Sequence, residues 1–538
     1  MTADRRHRRS SFVTLALGVA VAAIFSALCA RRAWVNDDAF ITYRYARHLA
    51  AGHGFVWNTT DAQRVEGSSS LAWTGLNAIV LRAGGDPLVF SHWAGWAAGL
   101  LTLALVVFGA RAVLGVGTVW SLVGGACLAL QPQWVTWSVS GMETSAGACV
   151  TLAATLLLLR ETRTPHRRGY ASGAVFLIAT LFRPETPLLH VAATVGILLG
   201  TSGARPWRAL VQSGLVHTAG LLALTVWRVM YFGQPLPNTF YAKAGSPQLT
   251  HGFEYLVQFV TQNSTWLWVV PLGFALPRAW RHARATTAAF VLQIVGWSAW
   301  VVVLGGGRWE FRFFVAVLPA CAVLLGHSLA LWAASTHRRL QRRAPLFAAA
   351  VAAAVLATQG LALRTAFRPF NDVLAKQQLL ESVEYMRLEA ALLARYVSVQ
   401  ERVCTGWAGA FPYFTGVWHY DPWGLNEPSI AHRPRNDAAV VFHQRHADWG
   451  DLVDNHVQFV DAFNHFLFPR PFDVRRARNV TPWTQPGVAV YSVRLPEGHY
   501  WLFASTWMRQ DVEAWLAKRG LQLESVAALP AGWPILGE

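Results

Sequence analysis

A train of apolar runs of membrane length constrains this chain more than any other feature. The runs lie near 11–30, 89–110, 113–131, 144–160, 170–182, 186–201, 210–228, 255–277, 285–304, 313–333 and 345–365. A helix rises about 1.5 Å per residue, so ~20 apolar residues cross the hydrocarbon core of a bilayer. The runs therefore predict a polytopic α-helical membrane protein with about eleven transmembrane helices. A shorter run, Leu71–Leu81, reads as a re-entrant or interfacial helix.

Composition agrees with this. Only 14% of the 538 residues are charged, against about 25% in a soluble domain, too few to cover a soluble surface of this size. The 26 Trp suit the membrane–water interface, where an apolar ring and a polar N–H are both satisfied. The net charge of +17 does not make a nucleic-acid binder. The arginines gather between apolar runs and form no stripe on a soluble face. Cys29, Cys127, Cys149, Cys321 and Cys404 include no Cys-x-x-Cys pair and read as small buried residues.

Charge also orients the spans. Arg5, Arg6, Arg8 and Arg9 precede the first run, Ser11–Ala30. Cys29-Ala30-Arg31-Arg32 is a poor cleavage site, so the run reads as a retained span with its N-terminus inside. Arg160, Arg163, Arg167 and Arg168 share one loop, and Arg205 and Arg208 another. Arg278, Arg281 and Arg284 share a third, and Arg338, Arg339, Arg342 and Arg343 a fourth. One assignment makes all four cytoplasmic and every acidic loop external. After about residue 366 no run reaches membrane length. Arg402–Gly409 and Ala438–Phe442 read as short buried strands, and Trp507–Arg519 as an amphipathic helix. The division is then a transmembrane part, 1–365, with its first outer loop at 31–88, and a soluble α/β domain, 366–538. An odd number of spans places that domain outside.

The first outer loop opens with Asn36-Asp37-Asp38, followed by Arg44, Arg47 and His48 on one helical face. Adjacent carboxylates are costly unless paired, hydrated or bound to a cation. They fit a catalytic pair with a possible divalent cation. They also fit a helix start capped by Asp. Gly52-His53-Gly54-Phe55 and Arg64-Val65-Glu66-Gly67-Ser68-Ser69-Ser70 suit a loop folded over a pocket, or an ordinary surface loop. Other outer loops add Glu143, then Arg183 and Glu185, then Asn238, Tyr241 and Lys243. Arg308, Glu310 and Arg312 lie in a further one. Ionisable groups at a membrane edge serve a site or tie helix ends by salt bridges.

Such a set could transfer a group from a lipid-phosphate donor. A carboxylate would act as general base on an acceptor hydroxyl, while Arg and Lys hold the leaving phosphate. No Walker A, dinucleotide-binding, His-Glu-x-x-His or Gly-x-Ser-x-Gly pattern occurs, which disfavours a nucleotide-driven pump or a membrane metalloprotease.

The chain resembles the GT-C glycosyltransferases, polytopic enzymes that use polyprenyl-phosphate sugars. Within them it is most similar to bacterial arabinofuranosyltransferases acting on cell-wall arabinan or surface glycans. The matching pieces are Asp-Asp-Ala-Phe-Ile-Thr-Tyr-Arg-Tyr-Ala-Arg from Asp37, Gly-His-Gly from Gly52 and Arg-Val-Glu-Gly from Arg64. Gly-Met-Glu-Thr from Gly141, Arg-Pro-Glu from Arg183 and Pro-Asn-Thr-Phe-Tyr-Ala-Lys from Pro237 also match. So does Asp-Pro-Trp-Gly-Leu-Asn-Glu-Pro from Asp421.

The resemblance implies a bacterial cytoplasmic-membrane enzyme of the cell envelope, with its active site extracytoplasmic. It implies a decaprenyl-phosphate arabinose or another polyprenyl-phosphate pentofuranose as donor, and a glycan or protein acceptor. It marks the pair Asp37 and Asp38 as catalytic without saying which member acts; our reading takes Asp38 as base and Asp37 as positioning group or cation ligand. Arg44, Arg64, Glu66, Glu143, Arg183, Glu185, Asn238, Tyr241, Lys243, Arg308 and Asp421 follow as substrate-binding residues.

Two other readings compete: a transporter or flippase for a lipid-linked sugar, and a non-catalytic membrane protein presenting a sugar-binding domain. The first needs ionisable groups or broken helices near mid-membrane, whereas here the charges gather in outer loops. The topology has a direct test. A reporter fused after about residue 370 should read as external, and cytoplasmic activity there would overturn the span assignment.

Overall fold

The computed structural model describes residues 2–32, 34–164, 168–243, 245–307, 311–335, 350, 357, 373–435, 444–474 and 480–529. Ten of the apolar runs form helix. The run at 345–365, Arg167, the arginines at 338–343 and the strand expected at 438–442 fall, but for two residues, outside the described residues.

The helices are α1 (Thr2–Arg31), α2 (Asp37–Ala50), α3 (Leu71–Arg82) and α4 (Pro87–Ala104), which continues through Leu105–Gly109 into α5 (Ala110–Leu114). Next come α6 (Thr118–Ala129), α7 (Pro132–Ser138), α8 (Thr144–Arg163), α9 (Tyr170–Phe182), α10 (Thr186–Gly200) and α11 (Trp207–Phe232). The series ends with α12 (Asn238–Lys243), α13 (Leu249–Gln262), α14 (Trp266–His282), α15 (Arg284–Leu304) and α16 (Leu318–Ser335). Among the described residues, five stretches are long and apolar enough to cross a membrane: Pro87–Leu114, Thr144–Arg163, Trp207–Phe232, Arg284–Leu304 and Arg312–Ser335. Leu15–Arg31, Thr118–Ala129, Tyr170–Phe182 and Thr186–Gly200 are shorter apolar helices.

The run at 255–277 differs from the single span expected. It breaks into α13 and α14 at Asn263–Thr265, where Ser264 adopts φ 53°. The cause is polar. Asn263 Oδ1 accepts from Gln133 Nε2 at 3.0 Å, and Gln131 Nε2 donates to Thr265 Oγ1 at 3.3 Å. Buried amides need such partners, and a break in the helix supplies them.

The crossing of α10 and α15 sets the geometry beneath the loops that carry Arg183, Glu185 and Arg312. Gly196 and Gly200 are one turn apart and face Ala289 and Ala285. A Cβ on Gly196 would fall 2.5 Å from Ala289 Cα, so only glycine allows the backbones this close. Gln293 then bridges the helices, donating to Leu189 O at 3.0 Å and Thr155 Oγ1 at 2.9 Å. The crossing sets the start of α10, just after Arg183–Glu185, near the end of α15, just before Arg312.

The C-terminal part follows α17 (Val373–Leu393) and forms a sheet of β1 (Arg402–Cys404), β2 (Trp418–Tyr420), β3 (Phe459–Val460), β4 (Leu467–Phe468), β5 (Ala489–Arg494), β6 (Tyr500–Ala504) and β7 (Leu523–Ala528). The order is β2-β1-β3-β6-β5-β7, with β4 also on β6. β1 runs parallel to β2 and β3, and the remaining pairs are antiparallel. Phe459, Trp501 and Phe503 pack its core beneath the helix Arg509–Ala517, which carries the expected amphipathic segment. The mixed α/β architecture expected after residue 366 is the one observed.

Substituting Gly196→Leu tests the crossing. Overpacking a tight contact costs about 1–3 kcal/mol. The variant should melt well below wild type in detergent, whereas an unchanged melt would mean the close approach is dispensable.

Candidate functional site

Helix α2 starts shortly after α1 ends and does not use an aspartate as its cap. Asn36 Oδ1 accepts the Asp38 N–H at 2.8 Å and takes that role. Both carboxylates are therefore released for other partners, and they separate.

Asp37 is buried. Its Oδ2 accepts the Gly409 N–H at 3.0 Å and its Oδ1 the Ala410 N–H at 2.8 Å. These two N–H groups open the short helix α18 (Ala410–Thr415), so Asp37 caps a helix of the C-terminal domain from across the chain. A Cβ on Gly409 would lie 2.0 Å from Asp37 O, so the approach requires glycine. Burial pushes the Asp37 carboxyl up to about 7, with the Asp38 charge adding and the two N–H bonds opposing.

Asp38 instead lines a cavity of about 460 Å³. Part of its lining is an ionic cluster. Arg312 Nη1 lies 3.4 Å from Asp38 Oδ2, and its Nη2 lies 3.6 Å from Glu143 Oε1. Arg183 reaches the same Glu143 oxygen at 3.0 Å and Glu185 Oε1 at 3.2 Å. Lys243 joins them on the wall. Burial opposes the charge on Glu143, but Arg312 and Arg183 overcome it and hold the carboxyl below its usual range. Burial also pushes the Lys243 ammonium down, with Asp38 opposing. The same cavity is lined by the apolar Leu188, Leu236, Phe240, Trp300 and Leu304. Ser68, Ser69 and Ser70 line it too, as does Leu425 of the C-terminal domain.

Five of the residues expected at a site thus meet: Asp38, Glu143, Arg183, Glu185 and Lys243. The structure places six others elsewhere. Arg44 is away from this cavity, its guanidinium bonded to Trp57 O, Asn58 Oδ1, Pro412 O and Val417 O, and lines a smaller cavity at the other end of α2 instead. Glu66 is held by Arg228 through two bonds of 2.8 and 2.9 Å. Arg64 lies over the Tyr231 ring at 4.3 Å. Tyr241 stacks on His432, and Asn238 donates to Gly424 O and Leu425 O. Asp421 folds its own turn by accepting from Trp423 N and from Asn426 N and Nδ2. None of these six lines the cavity of Asp38. Arg308 lies outside the described residues. Arg312 was not among the expected binders, although its loop carries the same basic signal as Arg308.

A divalent cation does not fit this donor set. Among the described residues no three His, Cys, Asp or Glu side chains gather as a metal site requires. The carboxylates of the cavity face guanidinium groups instead.

A family model described as a domain of unknown function, DUF8728, matches residues 375–503. A terminal beta-(1->2)-arabinofuranosyltransferase of Mycobacterium tuberculosis is 30% identical over 296 residues, covering 50% of this chain and 45% of that protein. The chain spans about half the length of the curated relatives it matches. Among solved structures, ArnT from Cupriavidus metallidurans bound to undecaprenyl phosphate aligns with TM-score 0.53 and 15% identity, over 76% of this chain and 85% of that one. The archaeal oligosaccharyltransferase AglB from Archaeoglobus fulgidus, in complex with an inhibitory peptide and a dolichol-phosphate, aligns with TM-score 0.54 and 11% identity. That alignment covers 92% of this chain and 75% of AglB. The architecture is the GT-C fold that the sequence led us to expect.

The two aspartates should respond differently to substitution. Asp37→Asn leaves one buried N–H without an acceptor and should cost about 1–3 kcal/mol of stability. Asp38→Asn breaks only a long, partly exposed pair and should cost less than about 1 kcal/mol. Equal thermal shifts in the two purified variants would sink this division.

Proposed function

We propose that the protein is a membrane glycosyltransferase moving a sugar, D-arabinofuranose, from a polyprenyl-phosphate donor to a glycan or protein acceptor on the outer face of the membrane. The observation that carries the reading is the mixed lining of one cavity. It gathers a carboxylate, Asp38, with Arg183, Lys243 and Arg312, and it is lined as well by the apolar Leu188, Leu236 and Leu304. A prenyl phosphate likewise joins an anionic head to an apolar chain. The curated relative named as an arabinofuranosyltransferase supports the sugar, and the neighbour bound to undecaprenyl phosphate supports the lipid carrier.

Orientation has its own support. Glu143, Arg183 and Glu185 sit at the cavity ends of α8, α9 and α10. The far ends of α8 and α9 carry Arg160, Arg163 and Arg168, and Arg205 and Arg208 follow the far end of α10. By the positive-inside rule the cavity then faces out.

In the proposed reaction Asp38 accepts the proton of the acceptor hydroxyl. That oxygen bonds to the anomeric carbon, and the anomeric carbon–oxygen bond to phosphate breaks with its electron pair leaving on the phosphate. Arg183, Lys243 and Arg312 stabilise the charge that develops there.

Asp38→Asn, folded by thermal melt and assayed with donor in excess, should turn over on the order of a hundredfold or more slowly. Lys243→Ala and Arg183→Ala should weaken donor binding more than acceptor binding. Near-native turnover of a folded Asp38→Asn would remove the chemical basis of the proposal.

A further inference from the structure

A second cavity, of about 370 Å³, opens at the other end of α2, between the first outer loop and the C-terminal domain. Arg47, His48 and Ala51 of α2 and its cap line one wall, Thr59 and Thr60 another, and Trp418 a third. Asp38 and His48 are ten positions apart on the same helix, so at about 1.5 Å per residue the two cavities lie ~15 Å apart along its axis. We propose that this groove binds a sugar segment of the acceptor, a short distance along the glycan from the hydroxyl that reacts at Asp38. The identity of the ligand rests on the transferase reading above. The sugar-binding character of the groove rests on its own chemistry.

That chemistry combines donors with acceptors. His48 is nine-tenths buried, and its Nδ1 lies 3.0 Å from Val56 O. A carbonyl only accepts, so Nδ1 carries the proton and Nε2 presents a lone pair. No residue among those described bonds Nε2. Burial, with the Arg44 charge adding, pushes the imidazole pKa down to about 4, so the ring stays neutral at pH 7. Beside it, Arg47 donates from Nη1 to Tyr413 O at 2.6 Å and lies 4.7 Å over the Tyr413 ring. Its remaining nitrogens have no acceptor among the described residues. Thr59 and Thr60 are exposed at the rim, and each hydroxyl can both donate and accept. A phosphate or sulfate would want donors alone, and the Nε2 lone pair repels it. Neighbouring sugar hydroxyls, each a donor and an acceptor, match the groove.

The test uses the full chain in detergent and a linear arabinofuranosyl oligosaccharide, followed by saturation-transfer NMR. The wild type should transfer saturation to the sugar. Ala51→Trp fills the groove from an exposed position and should weaken binding about tenfold or more, equivalent to ~1.4 kcal/mol. His48→Phe removes the lone pair and should act in the same direction. In transfer assays Ala51→Trp should raise KM for long acceptors while leaving kcat, and KM for a disaccharide acceptor, unchanged. The proposal is overturned if the wild type binds no oligosaccharide, if Ala51→Trp binds it like wild type, or if inorganic phosphate displaces it. If Ala51→Trp abolishes glycan binding yet no donor supports transfer in wild type, the groove stands and the transferase reading falls. Transfer by wild type with one KM for long and short acceptors overturns the groove and leaves the transferase reading standing.

Discussion

The buried Arg44 is the interaction that joins the loop after α1 to the C-terminal domain. Its guanidinium is buried, and a buried charge is tolerated only when its donors are met. Here they are met by Trp57 O and Asn58 Oδ1 of the first outer loop and by Pro412 O and Val417 O of the C-terminal domain. One side chain therefore joins two segments far apart in the chain. Asp37, Tyr45 and Asn58 repeat the pattern, binding Gly409 and Ala410, Asn426, and His419. Helix α2 becomes a rigid shaft with the domain clamped along it. Leu425, which lines the large cavity, neighbours Asn426, whose Oδ1 accepts from Tyr45 of α2.

This arrangement explains which residues sequence reasoning could place. The spans, the Arg-rich loops and the acid pair are local signals, readable from a few neighbouring residues. Glu143, Arg183, Glu185 and Lys243 were legible as a group because each closes or opens a helix on the same side of the membrane. Arg44, Asn238 and Asp421 carry the same kind of polar signal, yet they serve the backbone. Their partners are carbonyl and amide groups, which every residue has and no sequence marks. Arg312 was hidden differently. It shares a short loop with Arg308 and Glu310, and only the α10–α15 crossing, with Gly196 against Ala289, shows that it turns inward. The break at Asn263–Thr265 stands in the sequence as three polar residues inside an apolar run. Its meaning depends on Gln131 and Gln133, which lie far away in the chain.

The cavity is lined by three carboxylates, Asp38, Glu143 and Glu185, and three cations, Arg183, Lys243 and Arg312. Formally it is neutral before any ligand enters. A sugar linked to a prenyl phosphate is a phosphodiester with one negative charge. The prenyl phosphate left after transfer is a monoester that gains a second. A site built for the reaction must therefore gain positive character as the bond breaks, without binding the donor too tightly beforehand. The pairing of Arg312 supplies a way. At rest it is shared between Asp38 at 3.4 Å and Glu143 at 3.6 Å, both long for charge-assisted bonds. In the proposed reaction Asp38 loses its charge on taking the acceptor proton, so Arg312 would lose half of its compensation at the moment the phosphate charge grows. Under the proposed function, proton transfer and leaving-group stabilisation would be coupled through one guanidinium. Arg183 is held more firmly, at 3.0 and 3.2 Å between Glu143 and Glu185, and in the proposed reaction it would act as the fixed half of the clamp. The division of labour predicts unequal defects. Arg312→Lys keeps the charge but cannot reach two carboxylates in one plane. It should lower kcat at nearly constant donor affinity, whereas Arg183→Lys should weaken donor binding first. Matching losses in kcat and donor Kd for both variants would show that the two arginines do the same work and that the coupling is absent.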